Sequence, residues 1–205
     1  MAPLQQMSTH EPPMTQTVPP EILEAAYRQG IFPMADRRGR VRWYSPDPRT
    51  IIELDRFHRP RRLARTIRQK KFEIAVNRDF EGVVRGCANR RETWISEGIV
   101  NAYTALHNLG KAHSVEAYHD GKLAGGIYGV SLGGAFMGES MFTIVRDASK
   151  ACLAFLIERL KERGYTLFDV QFTTPHLKRF GAVEIPRPEY LRRLEKALRL
   201  TCRFD

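Results

Sequence analysis

The sequence is poor in cysteine and lacks any long apolar run. Its three cysteines, Cys87, Cys152 and Cys202, stand far apart, without the close pairs of a zinc site or of a secreted disulfide framework. No stretch reaches the roughly 18 apolar residues that a membrane-spanning helix needs. The first residues lack the basic start and apolar core of a signal peptide. We therefore expect a cytoplasmic protein with reduced cysteines and no membrane contact.

Acidic residues are scarce relative to basic ones. Thirty-three Lys and Arg against 23 Asp and Glu give a formal charge of +10, which attracts polyanions. Seven of these bases fall within residues 59–71, which contain no acid. A charge run is usually a solvated helix face, but Leu63 and Ile67 give this one an apolar anchor, which favours contact with phosphates. The candidate phosphate ligands are Arg61, Arg62, Arg65 and Arg68.

Prolines and glycines divide the chain into three predicted regions. Residues 1–18 are polar and proline-containing, without Lys or Arg, and are expected to form a disordered tail. Residues 19–58 begin with a proline-initiated helix that ends at Gly30, followed by a loop and a short strand. They are expected to form a small N-terminal domain. Residues 59–205 are expected to form a larger domain.

The larger domain has the pattern of a sheet covered by helices. Asp120-Gly121 between two apolar runs predicts a hairpin, and three glycines within the second run predict a bulge or a close backbone approach. Predicted strands occupy residues 72–76, 113–118, 123–130, 135–142 and 167–172, with helices before, between and after them. This order predicts an α+β fold with a single sheet.

Polar side chains interrupt two of these apolar strands. Glu139 lies in the third strand of the meander, and Asp169 and Gln171 lie two apart in the strand that follows. Side chains two apart on a strand share one face. An unpaired buried polar group costs roughly 2–7 kcal/mol, so such groups need a partner or a task. Asp169 could therefore belong to a site, or it could cap a loop or pair with Lys150 or Arg146.

Several short motifs follow one another in a specific order. They are Ala26–Pro33, Trp43–Arg49, Thr93–Ile95, Gly138–Phe142 with Ala148–Lys150, and Asp169–Gln171. In this order they resemble the leucyl/phenylalanyl-tRNA–protein transferase family over about residues 20–190. The resemblance implies a small N-terminal domain joined to a GNAT-like acyltransferase domain with a mixed sheet, and no metal or organic cofactor.

The resemblance also implies an activity. The enzyme would move Leu or Phe, with Met as a third candidate, from aminoacyl-tRNA to the N-terminal amine of proteins that begin with Arg or Lys. This addition would tag the acceptor for degradation by the N-end rule pathway, and the enzyme would be a monomer. An amine that attacks an ester needs deprotonation, positioning and donors for the oxyanion, and a carboxylate beside an amide suits that need.

Roles for individual residues follow from the same resemblance. Asp169 and Gln171 would polarise or deprotonate the attacking amine, and Glu139 would form hydrogen bonds in the same site. Whether Gln171 relays a proton or only orients a group stays open. The residues implied to bind the aminoacyl group and terminal adenosine are Tyr27, Trp94, Tyr103, Ile127, Phe136, Met141, Leu153, Leu156 and Phe168. Spacing alone would place Tyr103, Phe136, Met141 and Phe168 in the hydrophobic core.

Some positions depart from the family pattern. Met34 stands where the best-known members carry a Trp that stacks on the terminal adenine, Ile127 replaces a Met and Thr143 a Ser. The changes at Ile127 and Thr143 bear on the preference among Leu, Phe and Met, and the change at Met34 bears on how the terminal adenine is contacted.

Two rival functions are considered. One is an acyl-CoA-dependent acetyltransferase, but its phosphate-binding signature is absent after Phe142. The other is an RNA-binding module that uses the basic segment. For the transferase, we expect Asp169→Asn to reduce turnover much more than stability.

Overall fold

The computed structural model of the protein describes residues 17–205. Its helices are α1 (Pro20–Arg28), α2 (Arg61–Arg68), α3 (Phe80–Ala88), α4 (Glu97–Asn108), α5 (Ala148–Glu162), α6 (Pro175–Lys178) and α7 (Arg187–Leu198). Its strands are β1 (Phe32–Ala35), β2 (Val41–Tyr44), β3 (Arg49–Ile52), β4 (Glu73–Val76), β5 (Ala112–His119), β6 (Lys122–Leu132), β7 (Ala135–Thr143), β8 (Leu167–Gln171) and β9 (Ala182–Ile185). Most of the predicted tail lies outside the described residues, and Val18 at its end packs in the core.

The region before residue 47 consists of α1 and a small antiparallel sheet. Strands β1 and β2 pair from Phe32↔Tyr44 to Ala35↔Val41. The loop predicted directly after Gly30 is therefore wrong, because residues Phe32–Ala35 form β1. Pro33 lies inside this strand, which is tolerated because both strands of a two-stranded sheet are edges with one side free of ladder hydrogen bonds.

The larger sheet has seven strands in the order β4-β5-β6-β7-β8-β3-β9. The β7–β8 pair is parallel and the other pairs are antiparallel, so the predicted α+β class with a mixed sheet is confirmed. Strand β3 joins this sheet although it precedes residue 58, where the small N-terminal domain was predicted to end. The domain boundary itself stays a prediction.

Two apolar layers cover the two faces of the larger sheet. One layer contains buried residues of α1, α3, α4 and α7, such as Leu23 and Tyr190, and the other contains most of α5 together with Leu63 of α2. Ile127 and Tyr128 are neighbours on β6 and belong to opposite layers, as the alternation of a strand requires. The central strands are therefore buried on both sides.

Glycines in β6 mark close backbone approaches. A side chain at Gly129 would have its Cβ 2.3 Å from the carbonyl oxygen of Met137, and the β6–β7 register shifts between Tyr128 and Gly129. At Gly125 the added Cβ would lie 2.7 Å from the Cβ of Ala148. The bulge and close approach predicted from these glycines are confirmed.

Among the helices of residues 17–205, none is both long enough and apolar enough to span a membrane.

Candidate active site

The candidate site lies where β7 and β8 separate. The two strands pair only from Ala135↔Leu167 to Met137↔Asp169, and beyond that point they diverge. A cavity of about 240 Å³ opens between them. Its lining residues are Arg90, Ile127, Gly138, Glu139, Ser140, Met141, Leu153, Phe168, Val170, Gln171, Phe172, Thr174, His176 and Leu177. The lining combines apolar side chains with polar groups of the two strands, Glu139 and Gln171 among them.

The structure divides the nine residues predicted to bind the aminoacyl group and adenosine. Four of them line the cavity: Ile127, Met141, Leu153 and Phe168. Four are buried behind its wall: Tyr27, Tyr103, Phe136 and Leu156. The ring of Phe136 supports that of Phe168 at 5.9 Å between centroids. Trp94 is half-buried against the core, outside the cavity lining, and its carbonyl accepts a hydrogen bond from the Ala35 amide at 3.0 Å.

Glu139 connects the cavity with a chain of buried hydroxyls. Its Oε2 accepts the Tyr103 hydroxyl at 2.9 Å, and its Oε1 accepts the Gln171 side-chain amide at 3.2 Å. The Tyr103 oxygen in turn accepts the hydroxyl of Tyr27. Burial raises the pKa of Glu139 to about 7, although the tyrosine hydroxyls oppose that shift. This carboxyl can therefore gain or lose a proton near neutral pH.

Asp169 is fully buried, and both of its oxygens are occupied. Oδ1 accepts from Arg49 Nε at 2.9 Å and from the Gln171 backbone N–H at 2.9 Å. Oδ2 accepts from Arg49 Nη2 at 2.6 Å and from the Tyr190 hydroxyl at 2.8 Å. The charge partner of Asp169 is thus Arg49, in place of the lysine or arginine considered from sequence. Asp169 lies outside the cavity lining.

Gln171 joins the two acidic residues. Its backbone has φ +57°, a left-handed conformation that is uncommon for a residue other than glycine. The hydrogen bond from its N–H to Asp169 holds this conformation, and its side chain lines the cavity and reaches Glu139. The structure therefore brings Asp169, Gln171 and Glu139 into one network, in which Glu139 and Gln171 face the cavity.

Sequence reasoning gave no role to Arg49, Tyr190 or Arg90. Arg49 is fully buried, and its guanidinium carbon lies 4.8 Å from the Phe32 ring centroid and 4.4 Å from that of Tyr190. Arg49 is the last residue of the motif Trp43–Arg49, so the sequence motifs did include this position. Its partner lies 120 residues away, however, and no local pattern predicts that pairing.

Helix α2 presents its arginines next to a second depression. Arg61, Arg62 and Arg65 line this depression of about 640 Å³ together with Lys71 and Arg146. Arg68 is exposed on α2 but lies outside the lining of this depression. Arg62 also forms an ion pair with Asp147 at 3.3 Å. The result is a basic face, defined here as α2 with Lys71 and Arg146.

Within residues 17–205 no group of three or more His, Cys, Asp or Glu side chains is arranged to hold a metal ion. A cavity lined by apolar side chains together with a near-neutral carboxyl and an amide fits an acyltransferase that binds an apolar acyl group.

Family models match two consecutive parts of the chain. Residues 17–47 match the leucyl/phenylalanyl-tRNA protein transferase N-terminal domain, and residues 51–195 match leucyl/phenylalanyl-tRNA protein transferase. The chain therefore belongs to the leucyl/phenylalanyl-tRNA–protein transferase family. The resemblance found in the sequence motifs is confirmed, and so is the expected enzyme class, an aminoacyltransferase.

Curated relatives carry the same description. The leucyl/phenylalanyl-tRNA–protein transferase of Rubrobacter xylanophilus is 57% identical over 186 residues, covering 90% of this chain and 97% of the relative. That of Gloeobacter violaceus is 54% identical over 192 residues, covering 93% of this chain and 100% of the relative.

Solved structures show weaker likeness. L-PGS from Bacillus licheniformis has a TM-score of 0.42 at 18% identity, covering 77% of this chain and 61% of that one. A GCN5-related N-acetyltransferase-like protein from Streptococcus suis has a TM-score of 0.41 at 16% identity, covering 80% of this chain and 63% of that one. The α+β class rests on the strand order described above and not on these low scores.

Proposed function

We propose that the protein transfers Leu or Phe, with Met as a third candidate, from aminoacyl-tRNA to the N-terminal α-amine of proteins that begin with Arg or Lys. This addition tags the acceptor for N-end rule degradation in the cytoplasm, and the enzyme acts as a monomer. The observation that carries the proposal is the cavity between β7 and β8, which is lined both by apolar side chains and by Glu139 and Gln171.

The apolar wall receives the amino acid side chain. Ile127, Met141, Leu153 and Phe168 offer no hydrogen-bonding side-chain groups, so a polar or charged amino acid would lose its hydration there without compensation. Leu, Phe and Met have side chains that gain from burial in such a wall. With the side chain against these residues, the aminoacyl ester would lie in the same cavity as Glu139 and Gln171.

Glu139 is the group that accepts the proton of the attacking amine. It faces the cavity, and its pKa of about 7 leaves it largely ionised at slightly alkaline pH. The amine nitrogen forms a bond to the ester carbonyl carbon while its proton moves to Glu139. The tetrahedral intermediate then collapses, the bond to the ribose oxygen breaks, and Glu139 returns the proton to that oxygen.

Gln171 orients the reacting groups. Its amide nitrogen donates to Glu139, which leaves the amide oxygen of Gln171 to accept a hydrogen bond from the incoming amine. An amide is a poor base, so this role needs no proton transfer through Gln171. We assign Gln171 to positioning and Glu139 to proton transfer.

Asp169 acts through Gln171 and not on the substrate. Four hydrogen bonds occupy its two oxygens, so no lone pair is left for the amine. Its Oδ1 instead fixes the left-handed backbone of Gln171. Asp169 is therefore a positioning residue, held by Arg49 and Tyr190.

The basic face binds phosphates of the tRNA. Arg61, Arg62, Arg65 and Arg68 are exposed along α2, and three of them border one depression. Arginine at such a surface binds phosphate through its planar fork of donors. These contacts would supply most of the affinity and most of its salt dependence.

A transfer assay tests the proposal. Labelled Leu-tRNA is mixed with the protein and with a peptide that begins with Arg, and we expect a labelled peptide. Matched peptides that begin with Lys, Ala or acetylated Arg measure acceptor preference, and tRNAs charged with Phe, Met or Glu measure donor preference. Acetyl-CoA replaces the tRNA in a control reaction. Labelling from acetyl-CoA alone, or no labelling at all, would reject the proposed activity.

A further inference from the structure

The side chain of Arg90 is fixed at the edge of the cavity. Arg90 lies just after α3, and its Nε donates to the Cys87 carbonyl at 2.7 Å. Its Nη2 donates to Ser140 Oγ at 3.0 Å and to the Met141 carbonyl at 3.2 Å. These bonds tie the guanidinium to both α3 and β7, so its position relative to the cavity is set before any ligand binds.

The charge of Arg90 has no acidic partner. Within residues 17–205 Arg90 forms no ion pair, whereas its helix neighbour Arg85 pairs with both Glu81 and Glu97. The three hydrogen bonds of Arg90 go to neutral oxygens and involve Nε and Nη2, which leaves Nη1 able to donate. An exposed, fixed guanidinium of this kind is a binding group for an anion.

We infer that Arg90 binds the phosphodiester that precedes the terminal nucleoside of the aminoacyl-tRNA. This inference rests on the proposed function. When the aminoacyl group lies in the cavity, its ester joins it to the terminal ribose, and the first anion along the RNA is the phosphate on the 5′ side of that ribose. The acceptor amine brings no negative charge. The phosphate is therefore the substrate anion that can reach Arg90.

This contact differs from those of the basic face. The arginines of α2 border a separate depression, so they would bind phosphates farther along the RNA. A phosphate held at Arg90 restrains the terminal ribose and hence the ester carbonyl. Arg90 would thus position the reacting bond as well as add affinity.

Two stable analogues test the inference. One is leucyl-adenosine with an amide in place of the ester, and the other carries an added 5′-cytidylyl phosphate. Binding of both is measured to the unmodified protein, to Arg90→Gln and Arg90→Lys, and to the control Arg91→Gln, an adjacent exposed arginine outside the cavity lining. The two analogues, each measured with the unmodified protein and with Arg90→Gln, form a double-mutant cycle between the phosphate and the guanidinium.

We expect Arg90→Gln to weaken binding of the phosphate-bearing analogue by about tenfold, as for a charge-assisted hydrogen bond, and that of leucyl-adenosine by less than about twofold. Arg90→Lys should retain part of the extra affinity that the phosphate gives to the longer analogue. Arg91→Gln should retain all of that extra affinity. Equal losses for both analogues would show that Arg90 only shapes the wall, and no loss would also overturn the inference. If the unmodified protein bound neither analogue, the proposed function itself would fail.

Discussion

At the scale of single residues, the pKa of Glu139, the proposed base, makes its charge depend on pH near neutrality. The pKa of about 7 means that the carboxylate becomes available as pH rises through neutrality. We expect kcat/KM for transfer to rise through pH 7 in the unmodified enzyme. Glu139→Gln should lower kcat/KM by about 100-fold or more. It should also remove the rise of kcat/KM near pH 7, so that the remaining pH dependence reflects only the ionisation of the acceptor amine near pH 8. Transfer rates of both proteins measured from pH 5.5 to 9 would reveal this change. If Glu139→Gln had the same pH dependence of kcat/KM as the unmodified enzyme, Glu139 would be excluded as the base.

Glu139→Gln lowers activity, but it should raise the stability of the fold above neutral pH. Burial raises the pKa of Glu139 from its ordinary 4.5, so between these values the folded state holds a proton that the unfolded chain releases. The stability linked to this group is present at low pH and is lost as pH rises through about 7. Glu139→Gln has no such loss and should be more stable by about 1–3 kcal/mol at pH 8. Urea unfolding at pH 5 and pH 8 measures this, and a variant that is less stable at pH 8 would contradict it.

Arg49 and Asp169 form a buried pair, and that changes the expected outcome of Asp169→Asn. The substitution leaves the guanidinium without its counter-charge, so we expect a loss of about 3–5 kcal/mol in stability as well as a loss of turnover. This differs from the expectation based on sequence, which placed the effect mainly on turnover.

A second variant separates positioning from proton transfer. Arg49→Met combined with Asp169→Asn removes both charges, and the asparagine oxygen can still accept the Gln171 N–H. We expect stability to recover and transfer to return to within about tenfold of normal, because the double variant keeps the acceptor for the Gln171 N–H and removes the unpaired charge that disturbs the site in Asp169→Asn. A stable double variant without activity would instead indicate that the Asp169 charge takes part in the reaction.

At the scale of elements, the sequence predicted what depends on local pattern. The hairpin at Asp120-Gly121 and the strands and helices after residue 72 followed from periodicity and turn residues. Strand β3 was missed because its four residues become a strand only between β8 and β9, which lie far along the chain. The side chains of the site were found through motifs, but the pairing of Asp169 with Arg49 and the left-handed backbone of Gln171 depend on tertiary contacts.

Helix α2 offers a test at this scale. Arg65 borders the depression without an acidic partner in residues 17–205, whereas Arg62 already pairs with Asp147. Arg65→Ala should reduce the slope of log K for tRNA against log salt by about 0.7–0.9, and Arg62→Ala by less. Arg199→Ala serves as the control, since that residue is exposed and paired with Glu195 near the end of α7. Equal slopes for the protein and for a variant lacking all four α2 arginines would remove α2 from the tRNA site.

At the scale of the whole molecule, charge is distributed unevenly. Two arginines of α7 have acidic partners: Arg192 pairs with Glu189, and Arg193 pairs with Glu189 and Glu53. On the basic face, Arg62 pairs with Asp147, but Arg61, Arg65 and Arg68 form no ion pair within residues 17–205, so this face carries uncompensated positive charge. This field favours tRNA and disfavours an acceptor that begins with Arg or Lys.

The two proposed substrates should therefore bind in a coupled way. Bound tRNA supplies phosphates that reverse the local field, so a basic acceptor should bind more tightly to the tRNA complex than to the free enzyme. Uncharged tRNA allows this to be measured without reaction, through the Kd of a peptide that begins with Arg. The difference should be largest at low salt and should shrink as the screening length falls from about 30 Å at 0.01 M to about 8 Å at 0.15 M ionic strength. A matched peptide that begins with Gln should show a smaller difference in Kd. If the Arg peptide had equal Kd values with and without tRNA at low salt, the electrostatic field would play no part in acceptor binding.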